Sequence, residues 1–136
     1  MCASSGRLVT AIDEQWWKGA ALQTDIRPSA VSCLHYQGDA RDILFARAWR
    51  HAYIFAPCDD LALSGSQYFA DKVGDGSHWA GLAFFLRCCC CPALGVLAEH
   101  PRSAVSWYWR KPDLSYHPRD FGPGDSGREE VKETCF

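Results

Sequence analysis

Short apolar runs alternate along this chain with segments whose apolar residues recur at helical spacing. The apolar runs predict strands, and the helical spacing predicts helices. The predicted strands cover residues 20–22, 34–36, 52–55 and 94–98. The predicted helices cover residues 7–18, 40–50 and 78–91, the last with Ser77 as N-cap and Pro92 beyond its end. The unbroken apolar runs at 52–55 and 94–98 are typical of strands covered on both faces, and residues 59–76 are predicted to form a loop.

Strands that alternate with helices predict an α/β fold with a mostly parallel sheet of the doubly wound kind. Ligands bind to such sheets beyond the carboxyl ends of the strands. The residues at or just past the predicted strand ends are Asp25, Gly38, Asp39, Pro57, Cys58 and Glu99. We therefore expect three acidic side chains and one cysteine to converge on a single crevice.

The length of 136 residues suits a single domain, residues 1–136, with a modest core. Arg87 interrupts the longest apolar stretch, which leaves it short of the roughly 20 residues that a membrane helix needs. The first ten residues lack the basic start and apolar stretch of a secretory signal. These features predict a cytoplasmic protein.

The net charge of −2 argues against general coating of nucleic acid, but the charge is unevenly distributed. Between residues 100 and 119, four basic residues stand against the single acidic residue Asp113. The basic residues are Arg102, Arg110, Lys111 and Arg119, and Trp107, Tyr108, Trp109 and Tyr116 are interleaved with them. This composition suits contact with phosphates and bases, although an ordinary solvated surface has the same composition.

Four of the eight cysteines are consecutive, at residues 88–91. Adjacent cysteines do not pair readily with each other, and zinc sites need a second pair of ligands at a matching spacing. Cys88 and Cys91 have the spacing of one zinc-binding pair, but no second pair follows. We predict that these cysteines close a helix packed on the sheet, with neither metal nor disulfide.

Two motifs resemble those of the cytosine-C5 DNA methyltransferases, in particular the short phage-type branch, and they follow the same order along the chain. Pro57 and Cys58 resemble the Pro-Cys dipeptide that supplies the nucleophile in that family, and Glu99 resembles the glutamate of its Glu-Asn tripeptide. The branch has a loop that reads Pro-Pro-Cys-Thr-Asp-Leu-Ala-x-Ser-Gly-x-x-Tyr/Phe-Phe. Residues 56–69 here read Ala-Pro-Cys-Asp-Asp-Leu-Ala-Leu-Ser-Gly-Ser-Gln-Tyr-Phe.

The resemblance extends to both sides of this loop. Ser5 and Gly6 stand where the family has its cofactor loop, Asp25 matches the acid that holds the ribose, and residues 37–39 match the segment that contacts the adenine. Residues 110–113, 121–122 and 132–135 resemble the C-terminal segments of the branch. The resemblance implies a Rossmann-like methyltransferase fold, S-adenosylmethionine as cofactor and DNA as substrate, with Ser5, Gly6, Asp25, Gly38, Asp39 and Pro57 binding the cofactor.

The chemistry of this family explains why these residue types are needed. A Cys58 thiolate would add to C6 of cytosine and make C5 nucleophilic enough to accept a methyl group. Glu99 would neutralise the charge that develops toward N3. The target cytosine must leave the DNA duplex to reach such a site. Arg102, Arg110 and Lys111 are the predicted contacts to the DNA backbone.

Several positions depart from the family pattern. Ala56 replaces the first proline, Asp59 replaces the threonine that follows the cysteine, and His100 replaces the asparagine that follows the glutamate. Few residues precede Ser5, so we expect the first strand to be incomplete and find little room for a separate target-recognition domain. A second hypothesis is therefore a relative that binds S-adenosylmethionine or DNA without turnover. A third is a cysteine hydrolase in which His78, His100 or His117 activates Cys58.

Overall fold

The computed structural model describes residues 7–15, 21–117, 120 and 132–135. Their helices are α1 (Arg7–Gln15), α2 (Ala40–Leu44), α3 (Phe69–Gly74), α4 (Ser77–Cys89) and α5 (Val105–Tyr108). Their strands are β1 (Gln23–Asp25), β2 (His35–Gln37), β3 (Trp49–Ile54), β4 (Ala93–Pro101), β5 (Leu114–Tyr116) and β6 (Lys132–Cys135). None of the helices in these ranges has the length and apolar character to span a membrane.

The strands of these residues form two sheets with both parallel and antiparallel pairing. β1 and β2 form a parallel pair, and the second sheet has the order β3-β4-β6-β5. β3 and β4 run parallel, whereas β6 pairs antiparallel with both β4 and β5. The predicted α/β class is confirmed, and the antiparallel outer half is a feature that the sequence analysis did not predict.

The core lies between one face of the β3–β4 pair and helix α4. Ala52 and Ile54 of β3 pack in one cluster with Leu82 and Phe85 of α4, and Phe85 is almost fully buried. Exposure alternates along the second half of β3, and Tyr53 is 37% exposed. The prediction that β3 is covered on both faces is therefore wrong for the described residues, because α4 packs on the Ala52 and Ile54 side only.

Several element boundaries differ from the predicted ones. Helix α2 ends at Leu44, and the remainder of the predicted helix at 40–50 includes the start of β3. The predicted loop at 59–76 contains a 3₁₀ helix, Leu63–Tyr68, followed by α3. β4 continues through Pro101 instead of ending near residue 98, because β6 pairs with residues 98–101 and extends it.

Helix α4 follows its predicted course, with a different start. Gly76, at a φ of 85°, occupies the N-cap position, and the Asp75 carboxylate accepts the Ser77 N–H at 2.8 Å. The helix ends in the consecutive cysteines as predicted. Burial raises the pKa of the Cys88 thiol to about 11 and that of the Cys89 thiol to about 12.

Candidate functional site

Cys58 and Glu99 lie at the same end of the parallel β3–β4 pair. Ile54 and Ala98 are paired in the register of the two strands. Glu99 follows Ala98 directly, and Cys58 lies four residues after Ile54. The structure thus brings the predicted nucleophile loop and the predicted acid to one edge of the sheet. Glu99 itself lies inside β4, paired with Thr134 of β6, and not past the strand end as expected.

The half-buried Cys58 begins a tight turn. Its carbonyl oxygen accepts the Leu61 N–H at 3.0 Å and the Ala62 N–H at 2.9 Å. Leu61 is fully buried in the core cluster and anchors this turn. Because backbone groups and a buried side chain both hold the turn, the position of Cys58 follows from the core rather than from its own side chain.

Backbone hydrogen bonds join the loop that contains Cys58 to the loop that follows β4. The Leu63 N–H donates to the Arg102 carbonyl at 2.8 Å, and the Ala104 N–H donates to the Leu61 carbonyl at 2.9 Å. Ala62 and Ser103 form an isolated antiparallel bridge between these two bonds. These bonds therefore join the Cys58 loop to residues 102–104, which directly follow β4, the strand that contains Glu99.

Two side chains hold the Cys58 loop from α3 and α4: Lys72, which was not predicted, and His78, which was considered only as a base for a Cys58 nucleophile. The Lys72 ammonium donates to the Asp59 carbonyl and lies 3.1 Å from the Asp60 carboxylate. The buried His78 ring contacts the Asp60 carbonyl through Nδ1 at 2.9 Å. The carbonyl acts as acceptor, so His78 Nδ1 carries the proton. No short motif links these residues to Cys58, and only the packing of the helices on the loop reveals them.

Glu99 has a basic neighbour on β6. Lys132 Nζ lies 3.3 Å from Glu99 Oε1 and forms an ion pair with it. The adjacent His100 is buried, and its Nδ1 contacts the Pro101 carbonyl at 3.0 Å. Burial lowers the pKa of His100 below its ordinary value, against the opposite effects of the Pro101 carbonyl and Glu99.

Asp25 and Gly38 form part of a second cluster, at the carboxyl ends of β1 and β2. Asp25 is 6% exposed, its Oδ1 accepts the Arg27 N–H at 2.9 Å, and its carbonyl accepts the Gly38 N–H at 3.0 Å. The second carboxylate oxygen of Asp25 is buried and has no hydrogen-bond partner among the described residues. A Cβ at Gly38 would lie 2.6 Å from the Tyr36 ring, so a larger residue there would require this side chain to move.

Asp39 is the third residue of this cluster, and its carboxylate already has hydrogen-bond partners. It caps α2 by accepting the Arg41 N–H at 2.8 Å, and it forms a two-pronged ion pair with the Arg41 guanidinium. The hydrogen bonds from Arg41 lower the pKa of Asp39 to about 2. Its carboxylate thus stabilises the start of a helix, as N-cap aspartates commonly do.

The three predicted DNA-contacting cations flank α5. Arg102 is two-thirds exposed and lies 3.8 Å from Glu133, whereas Arg110 is paired with Asp113. The Lys111 side chain is exposed. These residues therefore present positive charge on both sides of the short helix, although two of them have acidic neighbours.

The structure brings the predicted residues together in two groups. Cys58 and Glu99 share the edge of the larger sheet, and Asp25, Gly38 and Asp39 share the edge of the smaller one. Ser5 and Gly6 lie outside the described residues, so their assignment to the cofactor stays a prediction, as does the union of both groups in one crevice. Among the described residues, no group of three or more His, Cys, Asp or Glu side chains is arranged to hold a metal ion.

Comparison of this chain with protein-family models, with curated proteins and with solved structures finds no match.

Proposed function

We propose that this chain has the catalytic centre of a cytosine-C5 DNA methyltransferase. The observation that carries the proposal is the position of Cys58 just past β3 and of Glu99 on the neighbouring strand β4, at the same end of this parallel pair. In parallel sheets this edge is the usual position of a ligand site. Residues 56–69 and Glu99 resemble motifs of the phage-type branch and follow the same order along the chain. This resemblance is the reason for proposing methyl transfer to cytosine C5.

Cys58 has the role of nucleophile. Its sulfur adds to C6 of a cytosine that has left the duplex as N3 takes a proton from Glu99, and C5 would then accept the methyl group of bound S-adenosylmethionine, with S-adenosylhomocysteine as the leaving group. A water molecule would take the C5 proton; the C5–H electron pair re-forms the C5–C6 double bond, the Cys58 sulfur leaves as a thiolate, and N3 returns its proton to Glu99. The turn that holds Cys58 helps this reaction by limiting the motion of the sulfur, because effective catalysis needs the reacting atoms in contact.

Glu99 has the role of neutralising N3 when charge develops on the cytosine ring. Its carboxyl group delivers a proton to N3, and this requires an oxygen that faces the base. Lys132 holds one of the two carboxylate oxygens of Glu99. The other oxygen is therefore the one that we assign to the base.

Asp25 is the described residue that best fits the cofactor S-adenosylmethionine. A buried carboxylate oxygen without a partner is expensive to maintain, and a ribose hydroxyl would satisfy it. Gly38 lies beside Asp25 and donates its N–H to the Asp25 carbonyl. S-adenosylmethionine supplies an electrophilic methyl group when it is bound. Asp39 fits less well, because Arg41 and the α2 cap already use its oxygens.

A relative that binds S-adenosylmethionine or DNA without turnover is the second candidate. The Lys132–Glu99 ion pair favours it, because an acid that must protonate a base is here beside a fixed ammonium group. Asp59 favours it too, because it places a carboxylate next to the intended thiolate. The two candidates share the binding site and differ only in the chemical step.

Tritium transfer from labelled S-adenosylmethionine to cytosine-containing DNA tests the proposal. We expect Cys58→Ser to abolish transfer and Glu99→Gln to slow it by roughly 100-fold or more. Cys90→Ser is the matched control, because Cys90 is an exposed thiol at the end of α4 and should leave transfer unchanged.

Calorimetry with S-adenosylmethionine separates the two candidates. Binding that weakens in Asp25→Asn, together with transfer that depends on Cys58, supports the enzyme. Binding without transfer in the wild type supports the non-enzymatic relative. The absence of transfer, together with no binding of either S-adenosylmethionine or DNA, overturns both candidates.

A further inference from the structure

Aromatic side chains from three helices form one connected network beside the Cys58 loop. Phe69 of α3 lies 4.9 Å from the His78 ring of α4, and 6.2 Å from the Trp107 ring of α5. Tyr108 lies 5.7 Å from His78 and 5.2 Å from Trp79. These are edge-on contacts, which fix the rings relative to each other.

The inner rings of this network are covered, and three outer rings are not. His78 is 1% exposed, whereas Trp79, Trp107 and Tyr108 are 45%, 62% and 47% exposed. We call these three residues the aromatic surface. Large aromatic side chains gain much free energy from burial, and a group of exposed ones on a rigid base marks an interaction site more often than scattered exposed residues do.

The aromatic surface is attached directly to the proposed nucleophile loop. His78 Nδ1 contacts the carbonyl of Asp60, two residues after Cys58. Trp107 and Tyr108 follow Ala104, whose N–H donates to Leu61 of the same loop. A ligand that lies on the aromatic surface therefore also lies beside the chain segment that carries Cys58.

The charge near the aromatic surface favours an anionic ligand on the α5 side. Arg102 precedes α5, and Arg110 and Lys111 follow it, with no acidic residue between positions 102 and 111. On the other side, Asp71 is exposed on α3, whereas the Asp75 carboxylate is used as a cap for α4. A polyanion would thus run along α5 and away from Asp71.

We propose that the aromatic surface stacks unpaired bases of single-stranded DNA while Arg102 and Lys111 contact its phosphates. Exposed aromatic faces bind unpaired bases with little regard to sequence, and basic residues beside them follow the backbone. A duplex keeps its base faces stacked and hides them from such a surface. This inference rests on the proposed function, because that function is the reason to take the bound strand as DNA. It adds a site for the nucleotides next to the target cytosine.

Fluorescence anisotropy with a labelled oligothymidine strand tests this site without cofactor and without cytosine. We expect tighter binding to the single strand than to a duplex of the same length. Trp107→Ala and Tyr108→Ala should each weaken binding to the single strand by roughly 5-fold to 100-fold, and Trp107→Phe should largely retain it. Tyr53→Ala is the control, because Tyr53 is exposed on β3 and lies on the sheet face opposite α4.

The basic residues are tested by the salt dependence of the same binding. Arg102→Ala should reduce the slope of log affinity against log salt by roughly 0.7, the value for one contact to single-stranded DNA. Arg47→Ala, which removes an arginine stacked on Trp49 near the end of α2, should leave the slope unchanged.

The outcomes distinguish this site from the catalytic proposal. Loss of binding in Trp107→Ala supports the site even if methyl transfer is absent, because oligothymidine offers no target base. Equal affinity for single strand and duplex would overturn the proposal, as would equal effects of Trp107→Ala and Tyr53→Ala. An absence of binding to either form of DNA would also overturn it and would leave a protein partner as the occupant of the aromatic surface.

Discussion

Asp25 is the last residue of β1 and Asp39 lies two residues past the end of β2, and their carboxylates have different partners. The nearest donors to Asp39 are the backbone and guanidinium of Arg41, two residues later. Asp25 is buried, and one of its oxygens finds no partner among the described residues. Each aspartate is followed two residues later by an arginine whose N–H donates to it, so the difference lies in burial and in the Arg41 guanidinium, which also pairs with Asp39.

At the residue scale, we expect His78 to hold the Cys58 loop through its Nδ1 atom alone. The amide nitrogen of asparagine can replace Nδ1 of histidine, whereas that of glutamine corresponds in position to Nε2. We therefore expect His78→Asn to keep the contact with the Asp60 carbonyl and His78→Gln to lose it. Hydrogen exchange at the Leu61 and Ala62 amides should become roughly tenfold faster in His78→Gln than in His78→Asn. Similar exchange in both variants would contradict the positioning role.

The replacement Asp59→Thr should increase the reactivity of Cys58. The exposed Asp59 carboxylate disfavours a second negative charge beside it, and the surrounding water and salt limit the effect. We expect a several-fold faster alkylation of Cys58 by iodoacetamide, followed by mass spectrometry of its peptide, and a parallel gain in methyl transfer if the protein is active. Asp71→Thr, which removes another exposed aspartate, should leave the alkylation rate at the wild-type value.

Elements with strong local signals were predicted best. Helix α4 has thirteen residues, apolar positions along its length and Pro92 beyond its end, and each of these signals lies within the helix or next to it. Strands β5 and β6 have three and four residues and depend on each other for pairing, so no local pattern indicates them. The helical part of residues 59–76 was missed because its glycines and serines resemble those of a loop.

At the element scale, Gly76 is the residue whose backbone decides where α4 begins. Its φ of 85° is strained for any residue with a Cβ. We expect Gly76→Ala to lower the free energy of unfolding in urea by about 1 kcal/mol. Gly74 ends α3 with open space where a Cβ would lie, so Gly74→Ala should leave stability unchanged or raise it slightly. A Gly76→Ala variant as stable as Gly74→Ala would show that α4 can begin without the left-handed residue.

At the scale of the whole molecule, the sheet joins segments that are distant in sequence. β6 comes from the end of the chain and lies between β4 and β5, where it pairs with residues 98–101. This pairing extends β4 and places Lys132 against Glu99. The environment of the proposed catalytic acid is thus set by a strand that follows it by more than thirty residues.

The buried His100 predicts a loss of stability in weak acid. Burial lowers its pKa in the folded protein below the ordinary value of about 6.5. Below that pH the unfolded chain binds a proton that the folded chain does not bind, so the free energy of unfolding decreases as pH falls from about 7 to about 5. Urea unfolding at several pH values should show a flatter profile for His100→Asn. His51→Asn removes an exposed histidine and should keep the wild-type slope; a flatter slope there would assign the effect elsewhere.

The α/β class and the course of α4 could be predicted from the sequence alone, and so could the candidate residues Cys58 and Glu99, on whose two motifs the proposed function rests. These properties depend on local periodicity, on helix-terminating residues and on the order of residues in short segments, all of which are readable along the chain. Which side chains surround Cys58 and Glu99 became clear only from the packing of the elements. Lys72 and His78, which hold the Cys58 loop, come from α3 and α4. The Lys132–Glu99 ion pair joins β6 to β4. The aromatic surface combines residues of α4 and α5. Such contacts form when the elements pack, because burial and partner geometry arise from residues far apart in sequence.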